Sequence, residues 1–233
     1  MKKIIAFIII FIVLLLLFLY FNDYYRSDES VYKYLENSDA VKIKKNKYGY
    51  FFDGNGEKDA LIFYPGAKVE YTSYAPLMNS IASNGVDCFL IKMPLNIAFF
   101  NPNVASKIID KYDYDKWYLS GHSLGGVVAS SYINSNNKKI DGLILLASYS
   151  TKNINSSVRV LSIYGDLDGV LNIENYKKNK KNLNNCDELI INGGNHSGFG
   201  NYGFQKGDKK SKISNEIQQN ITTDKIISFI INY

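Results

Sequence analysis

The chain has 233 residues, 46% of them hydrophobic, enough to bury one core but short for two domains of ordinary size. A net charge of +5 is modest, and the lysine clusters at Lys177, Lys178, Lys180 and Lys181 and at Lys206, Lys209, Lys210 and Lys212 read as solvated surface that a nearby anionic lipid could also contact. With no stacking aromatic ladder and no recognisable module, nucleic acid is excluded as the expected partner. Cys88 and Cys186 stand beside strand-like runs without a metal-ligand spacing, so a metal centre is not expected; two buried thiols are the reading, with a disulfide between them left open.

In chain order, Ile4 to Phe21 is an uncharged apolar run of 18 residues. As a helix it spans roughly 27 Å, enough to cross a bilayer once. Lys2 and Lys3 precede the run, and Asp23, Asp28 and Glu29 outnumber Arg26 after it, which predicts a cytoplasmic N-terminus and an extracytoplasmic domain in the cell envelope. Tyr20, Phe21, Asn22, Asp23 and Tyr24 offer no small-x-small cleavage site, so residues 1–21 read as an uncleaved anchor; cleavage would release a secreted domain. No cysteine stands near the end of the run to take a lipid. Residues 22–40 are polar with scattered tyrosines and read as a stalk merging into a domain over residues 41–233.

The domain opens with two short strands, "VKIKKN" and "YGYFFD", followed by the turn-forming "GNGE" at 54–57, an antiparallel start. Continuous apolar strands then alternate with amphipathic helices: "ALIFYPG", "SYAPLMNSIASNG", "VDCFLIKMP", "NVASKIIDKY", "KWYLSG", "LGGVVASSYINSN", "DGLILLAS" and "VRVLSIYG". Strands apolar along their whole length belong to a parallel sheet covered on both faces. "NIENYKKNKKNL", "DELIINGG" and a helix from about Ser214 to Ile231 complete a three-layer α/β domain, with a mostly parallel sheet and helices on both sides.

In "YLSGHSLGGVVA", Ser123 sits between Gly121 and Gly125 at a strand-to-helix turn. A serine hydroxyl is a weak nucleophile until a base takes its proton. The sequence contains two histidines. His122 adjoins Ser123 on the strand and should project the other way. That leaves His196, in the glycine-rich "INGGNHSGFG", as the candidate base. A carboxylate must orient its imidazole, and "LSIYGDLDGV" offers Asp166 and Asp168. Leu124, following the serine at the start of a helix, can donate its backbone N–H to an oxyanion. Gly125 and Gly126, like Gly121, suit the close helix-to-strand packing of such a turn.

Gly121, Ser123 and Gly125 match the G-x-S-x-G element of the α/β-hydrolase superfamily, and the order Ser, Asp, His matches its triad. Together with "FYPGAKVEYTSYAPL", "KMPLNIAFF", "SIYGDLDG" and "GGNHSGFGNYG", they resemble a small carboxylesterase-like or dienelactone-hydrolase-like bacterial branch, over nearly all of residues 40–233. The resemblance implies that Asp168, three residues after Gly165, is the acid and that Asp166 serves the loop. It also implies that Ala67 is the second oxyanion donor, with Lys68 a weaker alternative and Pro65 standing where the family has histidine. About ten residues separate "LILLAS" from "VRVLSIYG", too few for the helical lid of larger relatives. The site should therefore be open, shaped by residues 93–103 and 197–208. Phe99, Phe100, Phe199, Tyr202 and Phe204 could line an acyl pocket.

The expected activity is cofactor-free and metal-free cleavage of carboxylic esters or related acyl bonds through an acyl-enzyme, on small-molecule or lipid-like substrates. Acyl transfer or thioester cleavage by the same triad, and a non-catalytic binding protein on the same fold, are the alternatives.

Overall fold

A computed structural model of the chain describes residues 2–56, 58–136 and 138–231. Met1, Glu57, Asn137, Asn232 and Tyr233, which fall within the expected anchor, turn and domain, lie outside the described residues. Among the described residues, eight strands form one sheet in the order β1-β2-β4-β3-β5-β6-β7-β8. They are β1 Lys42–Asn46, β2 Gly49–Asp53, β3 Asp59–Tyr64, β4 Asp87–Ile91, β5 Lys116–His122, β6 Gly142–Leu146, β7 Arg159–Gly165 and β8 Cys186–Ile191. β1 pairs β2, and β2 pairs β4, antiparallel; every pairing from β4 through β8 is parallel.

The sequence chemistry accounts for this layout. β3, β4 and β6 are buried along nearly their whole length because helices cover both faces. β1, "KIKKN", takes the edge, where exposed lysines oppose pairing with another chain. Alternate residues of β3 enter opposite cores: Leu61 and Phe63 pack with Leu77, Met78 and Ile81 of α2 (Ala75–Ser83) and with Ile226, Phe229 and Ile230 of α6 (Asn215–Ile231). Ala60, Ile62 and Tyr64 instead pack with Val104 and Ile108 of α3 (Val104–Ile109) and with Val128, Ala129 and Tyr132 of α4 (Leu124–Ser135). A fifth helix of the body, α5 (Ile173–Asn179), precedes β8.

This division positions the site. The strand order reverses between β3 and β5, with α2 leaving β3 toward one face and α4 leaving β5 toward the other. The crevice at the carboxyl ends of these two strands is where open α/β sheets bind ligands.

Before the body, α1 (Lys2–Asn22) is long and apolar enough to cross a membrane, and its side chains from Ile4 to Tyr20 are exposed. Residues 23–40, within the 22–40 segment read as a stalk, lie against the body. Tyr25 forms a parallel bridge with Val69, and Asp28 N–H donates to Asn201 O at 2.8 Å. Val31, in a 3-10 helix over Glu29–Leu35, is fully buried. Cys88 and Cys186 are both free thiols, on β4 and β8.

Candidate active site

Ser123 occupies the turn between β5 and α4 with φ 52° and ψ −123°, a conformation that L-residues seldom adopt. Such strain costs about 1–3 kcal/mol and persists only where the surroundings impose it. Here the imposition is steric. A Cβ on Gly121 would stand 2.4 Å from the Gly125 carbonyl carbon, one on Gly125 2.1 Å from Tyr64 O, and one on Gly126 2.5 Å from Ser148 Oγ. The helix therefore packs against the strand ends at backbone distance. Ser123 N–H donates to Leu146 O at 2.9 Å, and Ser148 Oγ donates to Ser123 O at 2.6 Å, pinning both sides of the peptide. Leu124 is the first helical residue, so its N–H has no intrahelical acceptor and lies at the positive end of the dipole.

Asp168 and His196 are brought together from the loops after β7 and β8. His196 Nδ1–H donates to Asp168 Oδ2 at 2.9 Å, and both side chains are almost fully buried. The other carboxylate oxygen of Asp168 accepts N–H bonds from Val170 and Leu171 at 2.8 and 2.7 Å. With Nδ1–H directed to Asp168, His196 Nε2 carries the free lone pair of the neutral ring, and it has no hydrogen-bond partner among the described residues. Asp166 is exposed and accepts from Gly193 N–H at 2.7 Å, a turn contact on the same loop system.

Two residues not singled out by sequence reading hold the His196 loop. Asp208 Oδ1 accepts N–H bonds from Gly169 and His196 at 3.0 and 3.2 Å, while Oδ2 accepts from Ser197 N–H and Oγ–H, each at 2.9 Å. Burial alone would push its carboxyl up, but these donors outweigh it and hold the group below the ordinary aspartate range. The fully buried Gln218 of α6 grips Asn195, accepting from its N–H at 3.0 Å and donating to its carbonyl at 2.8 Å. The acid before "KK" and the glutamine within α6 carry no local motif, so their roles are not legible in the sequence.

The opposite wall is the loop after β3. Gly66 N–H donates to Tyr74 Oη at 3.2 Å, and Lys68 N–H donates to Asn96 O at 2.8 Å. Between them, Ala67 N–H takes no partner among the described hydrogen bonds. Tyr74 Oη lies 2.8 Å from His122 Nδ1, and His122 Nε2 lies 3.1 Å from the carbonyl oxygen of His196. A carbonyl only accepts, so Nε2 carries the proton and Tyr74 O–H donates to Nδ1. Both ring nitrogens of His122 are thereby occupied, and neither serves Ser123. Desolvation, chiefly, and the adjacent His196 depress the His122 pKa well below 6.5, keeping the ring neutral.

Ser123, Leu124 and His196 share a cleft of ≈ 210 Å³ with Val127, Tyr149 and Leu171. The aromatic residues expected around the acyl group do not line it. Phe199 is fully buried with its ring 5.6 Å from that of His122, and Tyr202 packs between Tyr25 and Tyr74. Phe99, Phe100 and Phe204 are exposed. Among the described residues no helix lies between β6 and β7, and no group of three His, Cys, Asp or Glu side chains could hold a metal ion.

Solved structures with similar folds include Est1E from Butyrivibrio proteoclasticus, at 15% identity and a TM-score of 0.57, covering 83% of this chain and 98% of that one. The carboxylesterase CesB (YbfK) from Bacillus subtilis aligns at 9% identity and a TM-score of 0.58, over 92% and 98% of the two chains. A predicted CIB-like hydrolase from Thermoplasma acidophilum aligns at 15% identity and a TM-score of 0.55, over 81% and 99%. No curated protein matches the sequence. The model of the alpha/beta hydrolase family matches residues 60–220, well over half of the chain, including all of β4 to β8 and all but the first residue of β3. With the strand order and the turn at Ser123, that match makes this chain a member of the alpha/beta hydrolase family of enzymes.

Proposed function

We propose that the protein is a serine hydrolase that cleaves carboxylic esters through an acyl-enzyme, with Ser123, His196 and Asp168 as its triad. The observation that carries the reading is the 2.9 Å bond from His196 to Asp168 at a cleft that His196 shares with the strained Ser123. Ser123 Oγ attacks the ester carbonyl while His196 Nε2 takes its proton, and Asp168 stabilises the resulting imidazolium. The tetrahedral oxyanion is held by Leu124 N–H and Ala67 N–H; one such donor contributes about 10²–10³ in rate. Collapse breaks the C–O bond, and His196 Nε2–H protonates the departing alcohol. A water, deprotonated at the same nitrogen, then hydrolyses the acyl-enzyme and restores Ser123. In this reading α1 anchors the enzyme to a membrane with the catalytic body outside.

The test is labelling of the folded chain with a fluorophosphonate probe beside a Ser123→Ala control, followed by turnover of p-nitrophenyl esters of graded length. Labelling and turnover that vanish in the control are expected. A folded wild type that neither labels nor cleaves any ester removes the proposal.

A further inference from the structure

The end of α1 is joined to the body by three contacts. The Phe21 ring meets Phe100 edge-on, with centroids 6.1 Å apart. Lys68 Nζ lies 4.5 Å from the Tyr20 ring centroid and 2.9 Å from Asp23 Oδ2. If Ile4 to Phe21 fills the hydrocarbon layer, Tyr20 and Phe21 mark its boundary, and Phe100 must lie in that same boundary layer. Aromatic rings and a lysine reaching from beside them are the composition of a membrane-interface belt.

Phe100 is not alone there. It belongs to a loop of two 3-10 turns after β4, Pro94–Asn96 and Ala98–Phe100, that leaves Leu95, Phe99 and Phe100 at least half exposed. Large apolar side chains grouped on one loop are costly in water and suited to an acyl boundary. The same loop is tied to the proposed oxyanion wall through the bond from Lys68 N–H to Asn96 O, and Lys68 is the chain neighbour of Ala67.

We infer that the Leu95–Phe100 loop inserts into the bilayer interface beside the anchor, so that the cleft receives esters whose acyl chains remain in the membrane. The occupant of this apolar surface is lipid, because α1 itself delivers the loop to the lipid boundary. The inference rests on the proposed anchor, and its substrate part rests on the proposed hydrolase.

The experiment uses the full chain in phosphatidylcholine vesicles with brominated acyl chains, which quench nearby tryptophan. The single native tryptophan, Trp117, is buried and sets the baseline. Leu15→Trp reports the anchor, Phe100→Trp the loop, and Ile190→Trp an exposed position on the far edge strand β8. Quenching of Phe100→Trp by shallow labels, about threefold or more above Ile190→Trp, is expected. Equal quenching at 100 and 190, with Leu15→Trp quenched, overturns the inference and leaves the anchor standing. No quenching at Leu15→Trp overturns both.

The substrate part is read as the ratio of turnover on a vesicle-embedded long-chain p-nitrophenyl ester to turnover on p-nitrophenyl acetate. In the Phe99→Ser, Phe100→Ser double variant this ratio should fall about fivefold or more. An unchanged ratio overturns the substrate assignment. No wild-type turnover of either ester overturns the hydrolase reading and the substrate assignment together, without touching the quenching result.

Discussion

On one side of Ser123 the loops after β7 and β8 are fixed by carboxylates: Asp168 takes two backbone N–H groups besides His196, and Asp208 spans Gly169, His196 and Ser197. On the other side, the loop after β3 is fixed by neutral groups, through a chain from Gly66 N–H to Tyr74 to His122 to the His196 carbonyl. The two walls meet at His196, whose side chain belongs to the charged side and whose backbone closes the neutral one. The rings of His122 and His196 lie with centroids only 4.5 Å apart, yet one faces an aspartate and the other a tyrosine. A second cation so close to an imidazolium at His196 would disfavour it, and a neutral His122 avoids that cost. Position next to the serine leaves His122 with both ring nitrogens occupied, whereas the aspartate on His196 Nδ1 leaves its Nε2 free for the proposed role of base.

The largest expected effect tests the charged wall. Asp168→Asn should lower kcat/KM by about 10³–10⁴, because an amide no longer fixes the His196 tautomer. Steady-state ester kinetics beside Asp166→Asn check this, and a larger loss in Asp166→Asn would reassign the acid.

Asp208→Asn comes next, with an expected stability loss of about 2–3 kcal/mol by denaturant unfolding, since a charged acceptor shared by several N–H groups is lost. The pH dependence has a definite sign. Asp208 has a depressed folded pKa, so its contribution is fully present above the ordinary aspartate value of about 3.9 and is lost as pH falls through the folded value. The variant should flatten that acid limb.

The neutral wall is tested by Tyr74→Phe, which strands both Gly66 N–H and His122 Nδ1. A loss of about 1–3 kcal/mol is expected, with a fall in kcat as the proposed Ala67 donor loosens. A kcat unchanged at full stability would separate this network from the oxyanion loop.

The smallest effect lies in a slope. His122 is neutral in the folded state, whereas the unfolded chain binds a proton below about pH 6.5, so its burial weakens stability as pH falls from that value. His122→Gln should lower stability at pH 7 and remove up to about 1.4 kcal/mol per pH unit from the slope below pH 6.5. Retention of the wild-type slope would mean that His122 titrates normally.

Much of the fold is legible because strand and helix periodicities are local. The continuous apolar runs of β3 through β7 and the polar-basic β1 follow from which strands are covered and which lies at the edge. Ser123 stands in a recognisable pattern because the tight turn demands glycine at three nearby positions. Asp208, Gln218 and Tyr74 carry no such signal, since each acts on groups that only folding brings to it. Phe199 and Tyr202 lie near His196 in sequence, and both are buried by partners distant in the chain, Phe199 against His122 and Tyr202 between Tyr25 and Tyr74.

The parallel sheet, the apolar first helix and the few histidines and carboxylates that stand as candidate base and acid are legible in the chain alone, because hydrophobic period and residue scarcity are properties of the chain. That residues 23–40 lie on the body, that His122 is a neutral strut and that Phe100 stands against the end of α1 emerge only on folding. Those outcomes depend on which distant backbone donors and side chains meet once the sheet closes its order, and burial then sets the charge each group can carry.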